Sequence, residues 1–385
     1  MKEPVSTEVD VAIVGAGPAG CAAAMALRRQ GRTVALLEKA RFPRDKICGD
    51  FLTPGCVARL QELGSEEVEA VTPTRLRGMR ITFDGTEVLS DFPPARHGWS
   101  MSRRSLDAAL ARRASMMGAC LVEELRVENF GREEDGWQWI EGSHPDGARR
   151  RWRARLLVEA GGRHGLIGRR LGWRNDDPRL TRYALWSHME NMRGLGDRGE
   201  MHVFDGGYVG VAPLQGAADR GLANVTMVLT ASRWSRARAD IRGYFLDLLR
   251  SHPELGRRVA DAGLVTPLRG IGPLACSASR LTGDGLAMVG DACGFVDPFT
   301  GEGIFMALES ARLMAEAVAA GSLDRYESAW RAAFSSKLRL CRLLQIVIAR
   351  PWLARYVARA LGSRKDLADR MVGATGDLFP ASSVL

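Results

Sequence analysis

The residues with the clearest chemical spacing are Gly15, Gly17 and Gly20, in the run Gly15-Ala-Gly17-Pro18-Ala19-Gly20. They follow directly on the β-rich apolar segment 9–14, Val-Asp-Val-Ala-Ile-Val. Glycines so placed have separate tasks. The first permits a tight turn, the second lets the backbone approach a pyrophosphate, and the third lets a helix pack closely on a strand. An Ala-rich segment from Cys21 to Gln30 follows and is closed by Gly31, the pattern of a helix with a C-terminal cap. Thr33 to Leu37 is a second strand, with Glu38 at its end and Lys39 next. A carboxylate there accepts hydrogen bonds from ribose hydroxyls, while the helix N-terminus offers free N–H groups and a positive dipole end to phosphates. Strand, loop, helix, strand and acid in this order predict a dinucleotide site.

Other chemistries are disfavoured. The seven cysteines (21, 48, 56, 120, 276, 293 and 341) never form a C-x-x-C pair, which argues against zinc, a dithiol redox motif and a disulfide framework. The six histidines form no ligand pair, so no metal is expected. No Ser-His-Asp nucleophile elbow is visible. Cys48 and Tyr208 remain as candidate reactive side chains.

The elements that must position these residues fit a chain of 385 residues, long enough for one large α/β enzyme with a sizeable core. Scattered cysteines suggest a reducing, cytoplasmic compartment. The net charge is +9, yet five of the 54 basic residues are lysines, so much of the surplus reads as the arginine bias of a GC-rich genome. The surplus also suits an anionic cofactor, an acyl-carrier partner or a membrane surface. Nucleic acid is not expected, because the arginines are dispersed among acids and no recognition motif accompanies them. The start, Met1-Lys2-Glu3-Pro4, is not that of a signal peptide, and no window reads as a transmembrane helix.

Three further segments end strands or open helices: Gly98 to Asp107, Leu156 to Arg163, and Leu286 to Ala292, where a strand ends in Gly290-Asp291. The last is followed by Pro298-Phe-Thr-Gly301-Glu302-Gly303-Ile304 and a helix from Phe305 to Ala320. Residues 75–100 and 180–230 alternate apolar and polar, which predicts a mostly antiparallel sheet. Such a sheet would roof a hydrophobic pocket lined by Trp99, Trp186, Met189, Phe204, Tyr208 and Met227. Lys337 to Arg364 reads as two amphipathic helices broken at Pro351. They would cover the core or the site mouth, or present a basic face to a membrane or lipidic substrate.

Together these segments resemble the FAD-dependent oxidoreductase superfamily of the glutathione-reductase or para-hydroxybenzoate-hydroxylase type. Arg41-Phe-Pro-Arg44-Asp-Lys46-Ile-Cys48-Gly49-Asp50 resembles its geranylgeranyl-reductase-like branch, a neighbour of flavin halogenases and monooxygenases. The resemblance implies an α/β fold: a Rossmann-type FAD-binding domain (1–75, 100–175 and 275–330), an inserted antiparallel-sheet substrate domain (76–99 and 176–274) and C-terminal helices (331–385). It implies that Gly15, Gly17, Pro18, Ala19, Gly20, Glu38 and Lys39 hold the ADP half of FAD. Arg103 matches an arginine on the flavin side, in an R-x-x-x-D motif whose Asp107 supports the helix. Gly290 and Asp291 match the segment that binds the ribityl chain, and Gly301, Gly303 and Ile304 match the loop beside the isoalloxazine. With one dinucleotide fold visible, NAD(P)H is expected as a transient reductant in the same cleft, although Ala160-Gly161-Gly162 lacks the aspartate relatives carry there.

Gly206-Gly-Tyr208-Val-Gly210-Val-Ala-Pro213 keeps the Tyr and Pro of a geranylgeranyl-reductase segment and replaces its second aromatic by Gly210. That enlarges the expected pocket and favours a monooxygenase, hydroxylating or epoxidising a bulky hydrophobic substrate. A polyketide, an alkyl-aromatic or a prenyl chain, free or carrier-bound, fits. The alternative is an ene-reductase that saturates isoprenoid C=C bonds. Halogenation is disfavoured, since no lysine lies between 46 and 337 and the family's Trp-x-Trp-x-Ile-Pro signature is missing.

Overall fold

A computed structural model describes residues 6–64, 66–215 and 217–384. The N-terminal Met1–Pro4 segment read above lies outside the described residues. The chain begins with strand β1 (Ser6–Val14), helix α1 (Pro18–Arg29) and strand β2 (Val34–Leu37). It crosses to the hairpin β3 (Gly78–Phe83) and β4 (Thr86–Asp91), then returns for helix α2 (Arg103–Met116) and strand β5 (Arg149–Glu159). A second crossing supplies β6 (Arg182–Glu190), β7 (Arg198–Phe204), β8 (Gly207–Pro213) and β9 (Ala223–Thr230). The chain comes back with β10 (Leu286–Met288) and α3 (Gly303–Ala319), and ends in α4 (Asp324–Ile348), α5 (Pro351–Gly362) and α6 (Lys365–Thr375).

Two large sheets result. In the first, β10, β5, β1, β2 and Cys120–Val122 lie side by side and parallel, and the hairpin Arg126–Arg132 and Gln138–Ser143 is added to β5. Every residue of β2 is buried, which explains its uninterrupted apolar run. Helix α1 lies between this sheet and α3, and its Ala22, Ala23 and Ala24 are buried. Small side chains allow that close approach. The helix starts at Pro18, three residues before the expected Cys21, because proline suits the first helical position, where no N–H bond is needed.

The second sheet runs β6-β9-β8-β7-β3-β4. It is antiparallel except between β7 and β3, which pair in parallel because the first sheet's segments intervene between them in the chain. Its two faces have different partners. Leu185, Met189, Val209, Met227 and Leu229 pack against the helices Ala231–Ala237 and Ile241–Ser251. Ala184, Tyr208, Val228, Phe83 and Val203 face Ile348, Ala354 and Ala358 of α4 and α5.

The break at Pro351 is where the sequence places it, but the C-terminal arrangement is larger than expected. Helix α4 begins at Asp324, and a third helix, α6, packs on β4, where Asp369 accepts from the Ser90 hydroxyl at 2.9 Å and the Asp91 N–H at 2.9 Å. The α/β architecture with parallel and antiparallel sheets and C-terminal helices is the one the sequence implies.

Gly20 is the tightest point of the β-α-β unit: a Cβ there would sit 1.9 Å from the Gly15 carbonyl oxygen. Gly20→Ala is expected to cost about 3 kcal/mol, at the upper end of overpacking effects. Urea unfolding at matched protein concentration measures it, and a change under about 0.5 kcal/mol, the range of an ordinary surface substitution, would contradict the packing described.

Candidate active site

A cavity of about 830 Å³ runs from the ends of the parallel strands to the face of the second sheet and under the C-terminal helices. All thirteen residues expected to touch the cofactor fall on or beside it. Gly15, Gly17, Pro18, Ala19, Glu38, Lys39, Arg103, Asp291, Gly301, Gly303 and Ile304 line it. Gly20 is buried behind the loop, and Gly290 packs on Ala19. Gly15 has φ +101°, and a Cβ there would lie 2.6 Å from the Ala160 carbonyl oxygen, so the turn needs glycine.

Glu38 turns back under this loop. Its carboxylate accepts from the Ala16 N–H at 3.0 Å and the Ala40 N–H at 3.1 Å. Arg44 lies 3.3 Å from Glu38 and donates to Asp107 at 2.8 Å, while Arg103 grips the same Asp107 through Nε at 2.7 Å and Nη2 at 2.8 Å. Asp107 is fully buried, so it supports α2 and also holds two cations in place. Both guanidiniums stand over the phosphate loop: a Cβ on Gly17 would be 3.8 Å from Arg103 and 3.9 Å from Arg44. A helix N-terminus and two fixed arginines make a site for a pyrophosphate.

At the far end of the groove the Asp291 carboxylate accepts no side-chain or backbone hydrogen bond from the described residues. Burial raises its pKa, and Arg163, Arg103 and Lys46 pull the other way. A half-buried acceptor that faces the cavity without a protein hydrogen bond, beside the Gly301–Gly303 loop and the α3 N-terminus, fits a polyhydroxylated chain ending in a flavin. The cradle as a whole therefore fits FAD: Gly17, Arg44 and Arg103 at the phosphates, Glu38 on the adenosine side, Asp291 at the ribityl chain.

Asp50 lies beside the cavity, between Gly49 and Phe51 of its lining, and is absent from the sequence-based site. It is fully buried at φ 54°. Oδ1 accepts from the Arg103 N–H at 3.1 Å; Oδ2 bonds His188 Nε2 at 2.6 Å and Asn224 Nδ2 at 2.9 Å. Asn224 also donates to the Cys48 carbonyl at 2.8 Å. The Cys48-Gly49-Asp50 loop is thereby clamped between α2 and the strands β6 and β9. The Gly-Asp pair at 49–50 was the available signal, but its partners lie 138 and 174 residues away.

Cys48 lines the cavity, with its thiol against the Arg103 guanidinium. Burial pushes this thiol up to about 11, against the pull of Arg103. Tyr208, the other candidate, also lines the cavity, but its hydroxyl donates to the buried Asp297 at 2.5 Å and burial raises its pKa well above the usual value.

Of the six large residues expected to roof the pocket, Tyr208 alone lines it. Met189 and Met227 are buried on the opposite sheet face and Phe204 packs there too, because strand alternation sends them toward the helices that cover that side. Trp99 belongs to the core under the first sheet, and Trp186 packs edge-on against His188 with ring centroids 4.9 Å apart. The lining is instead built from Ala184, Met201, Val203, Phe83, Ile271 and Phe299. Gly210 lines the cavity as expected, with Met201 Sδ in ordinary contact range, 3.5 Å from where its Cβ would be.

The C-terminal helices close the chamber, with Ile348, Ala354, Ala358 and Leu361 lining it. They are tied to the flavin loop by a buried ion cluster. Lys337 donates to Glu302, between Gly301 and Gly303, at 3.0 Å, and also to Asp377, which accepts from Thr53 at 2.6 Å. Burial raises the pKa of both carboxyls, and Lys337 draws them down.

Fold and site define a dinucleotide-binding flavoprotein with a roofed apolar chamber. Comparison with known proteins agrees: residues 8–206 match the FAD binding domain family, and the chain belongs to it. A menaquinone reductase of Mycolicibacterium smegmatis is 32% identical over 85% of this chain and 80% of its own length. A flavin-dependent halogenase of Armillaria mellea is 28% identical over 83% of this chain and 69% of its own length. A digeranylgeranylglycerophospholipid reductase of Methanosarcina mazei is 27% identical, covering 84% and 80%. Among solved structures, a flavoprotein/dehydrogenase from Cytophaga hutchinsonii superposes with a TM-score of 0.80 over 98% of this chain and 99% of its own, at 22% identity, a likeness of fold. The protein is an FAD-dependent oxidoreductase.

Asp291→Ala removes an acceptor worth ~1.5–3 kcal/mol as a charge-assisted bond. FAD should then bind roughly 10- to 100-fold more weakly, at ~1.4 kcal/mol per decade. Flavin fluorescence titration of apoprotein checks this, and an unchanged dissociation constant would remove Asp291 from the cofactor site.

Proposed function

We propose that the protein reduces a carbon–carbon double bond in a long hydrophobic, prenyl-type substrate. The observation that carries this reading is the Cys48 thiol, kept protonated by burial, facing the cavity and lying against a guanidinium. Saturating a double bond adds a hydride to one carbon and a proton to the other. The bound flavin supplies the two-electron reducing chemistry. The chain's own contribution is the proton: Cys48 holds it, Arg103 stabilises the thiolate left behind, and Asp50 keeps both from moving. Burial keeps the proton on the thiol, and the fixed cation beside it lowers the cost of the thiolate formed when that proton leaves. We assign the electrons to a nicotinamide nucleotide that binds transiently in the same cleft.

The apolar chamber under α5 suits a flexible hydrocarbon chain, and two of the relatives named above are reductases, one of a glycerophospholipid. The room at Gly210, flanked by Met201, serves a bulky chain under either chemistry. Lysines that line the cavity among the described residues, Lys39 and Lys46, both lie in the loop after β2. The roof and the C-terminal helices contribute none to a halogenating site.

Anaerobic incubation of the dithionite-reduced protein with a prenylated quinone and with a geranylgeranylated lipid tests the reading. A product heavier by two hydrogens is expected from one of them. Turnover that instead requires O₂ and places oxygen in the product would overturn it. Cys48→Ala should lower kcat by roughly 10²–10³, the usual weight of a general acid, with flavin occupancy unchanged. Because the thiol titrates near 11, it stays protonated through the neutral range and is lost only as pH rises toward that value. The wild-type rate should therefore show no fall from this group between about pH 6 and pH 9.

A further inference from the structure

We infer that the outer faces of α4 and α5 form a docking surface for an anionic phospholipid bilayer. Between Ser335 and Arg364 the sequence contains no Asp or Glu and seven basic residues. Lys337 is buried in its ion cluster, whereas Arg339, Arg342, Arg350, Arg355, Arg359 and Arg364 are exposed. Large apolar residues stand among them. Trp352 is 68% exposed and Tyr356 71%, with Leu343 at 47% and Ile346 at 45%. At about 100° per residue, Trp352, Arg355, Tyr356 and Arg359 share one face of α5, and Ala354, Ala358 and Leu361, which line the cavity, share the opposite one. Arg339, Arg342, Leu343 and Ile346 likewise share one stripe of α4, and the exposed Arg350 and Pro351 lie at the junction of the two helices.

Arginines mixed with Trp and Tyr on an exposed helix suit the boundary between headgroups and acyl chains. Arg355 is bridged to Asp84 of the neighbouring hairpin, but Arg339, Arg342, Arg350, Arg359 and Arg364 form no ion pair among the described residues, and this excess selects an anionic surface. No helix among the described residues is long and apolar enough to cross a membrane, so the contact is with one face. Since α5 separates this surface from the cavity, docking would set the substrate chamber directly against the lipid. The surface does not depend on which reaction the site performs, and its test involves no turnover.

The test is flotation of the flavin-loaded protein with vesicles of phosphatidylcholine alone and of an equimolar mixture with phosphatidylglycerol. Binding to the anionic vesicles alone is expected, and it should be lost in roughly 0.5 M salt, where screening shortens the Debye length to a few ångströms. An R350E/R359E variant should partition at least ~10-fold more weakly, and a W352A/Y356A variant should also weaken. Both keep their residues' solvent exposure, and their flavin content and melting temperature should match wild type. Failure to float with anionic vesicles, or equal flotation with both kinds, would overturn the inference. So would a wild-type dimer in solution that W352A/Y356A converts to monomer, because a second copy would then be the occupant.

Discussion

A carboxylate removed from water must be fully paired, and Asp50 meets that requirement with groups from three parts of the chain. Its partners are the α2 N-terminus, His188 on β6 and Asn224 on β9. Truncating one member of such a buried set leaves the others uncompensated, which typically costs 3–5 kcal/mol, so the loop cannot relax independently of either sheet. The backbone is held at positive φ there, and Cys48, two residues earlier, inherits a fixed position against Arg103. The dinucleotide half and the roof half of the molecule are thus joined at the place where a flavin and a substrate would meet.

Asp107 performs the corresponding task on the cofactor side. One buried carboxylate holds Arg103 and Arg44 together, which leaves their outer nitrogens over the glycine loop instead of in solvent. The positive charge needed for an anionic cofactor is therefore fixed before any ligand arrives, and its reorganisation cost is met by folding. Lys337, Glu302 and Asp377 extend the same logic to the C-terminal helices, making the cover of the chamber continuous with the loop under the flavin site.

Two kinds of surface result on opposite sides of one short helix. Inward, α5 presents alanines and Leu361 to an apolar chamber. Outward, it presents aromatics and arginines. The twelve residues Pro351–Gly362 thus define both what fits inside and what the outside can touch.

Sequence alone determined the β-α-β unit, its glycines, the acid after β2 and the strand that leads to Gly290-Asp291. These are local patterns, in which each residue's task is set by neighbours within about thirty positions. The fold class and the cofactor cradle were legible for that reason, as were the alternation of the second sheet and the break at Pro351. Which face of that sheet meets the cavity was not legible, because alternation specifies two faces but not what covers each. Met189 and Met227 consequently went to the helix-covered side, and Met201 and Val203 to the chamber. The clamps were likewise hidden. Asp50 finds His188 and Asn224 across 138 and 174 residues, and Thr53 finds Asp377 across 324. A lone Asp, His or Lys carries no local mark of its partner, so only the folded chain decides which charges are paired and which, like Asp291, are left to bind something else.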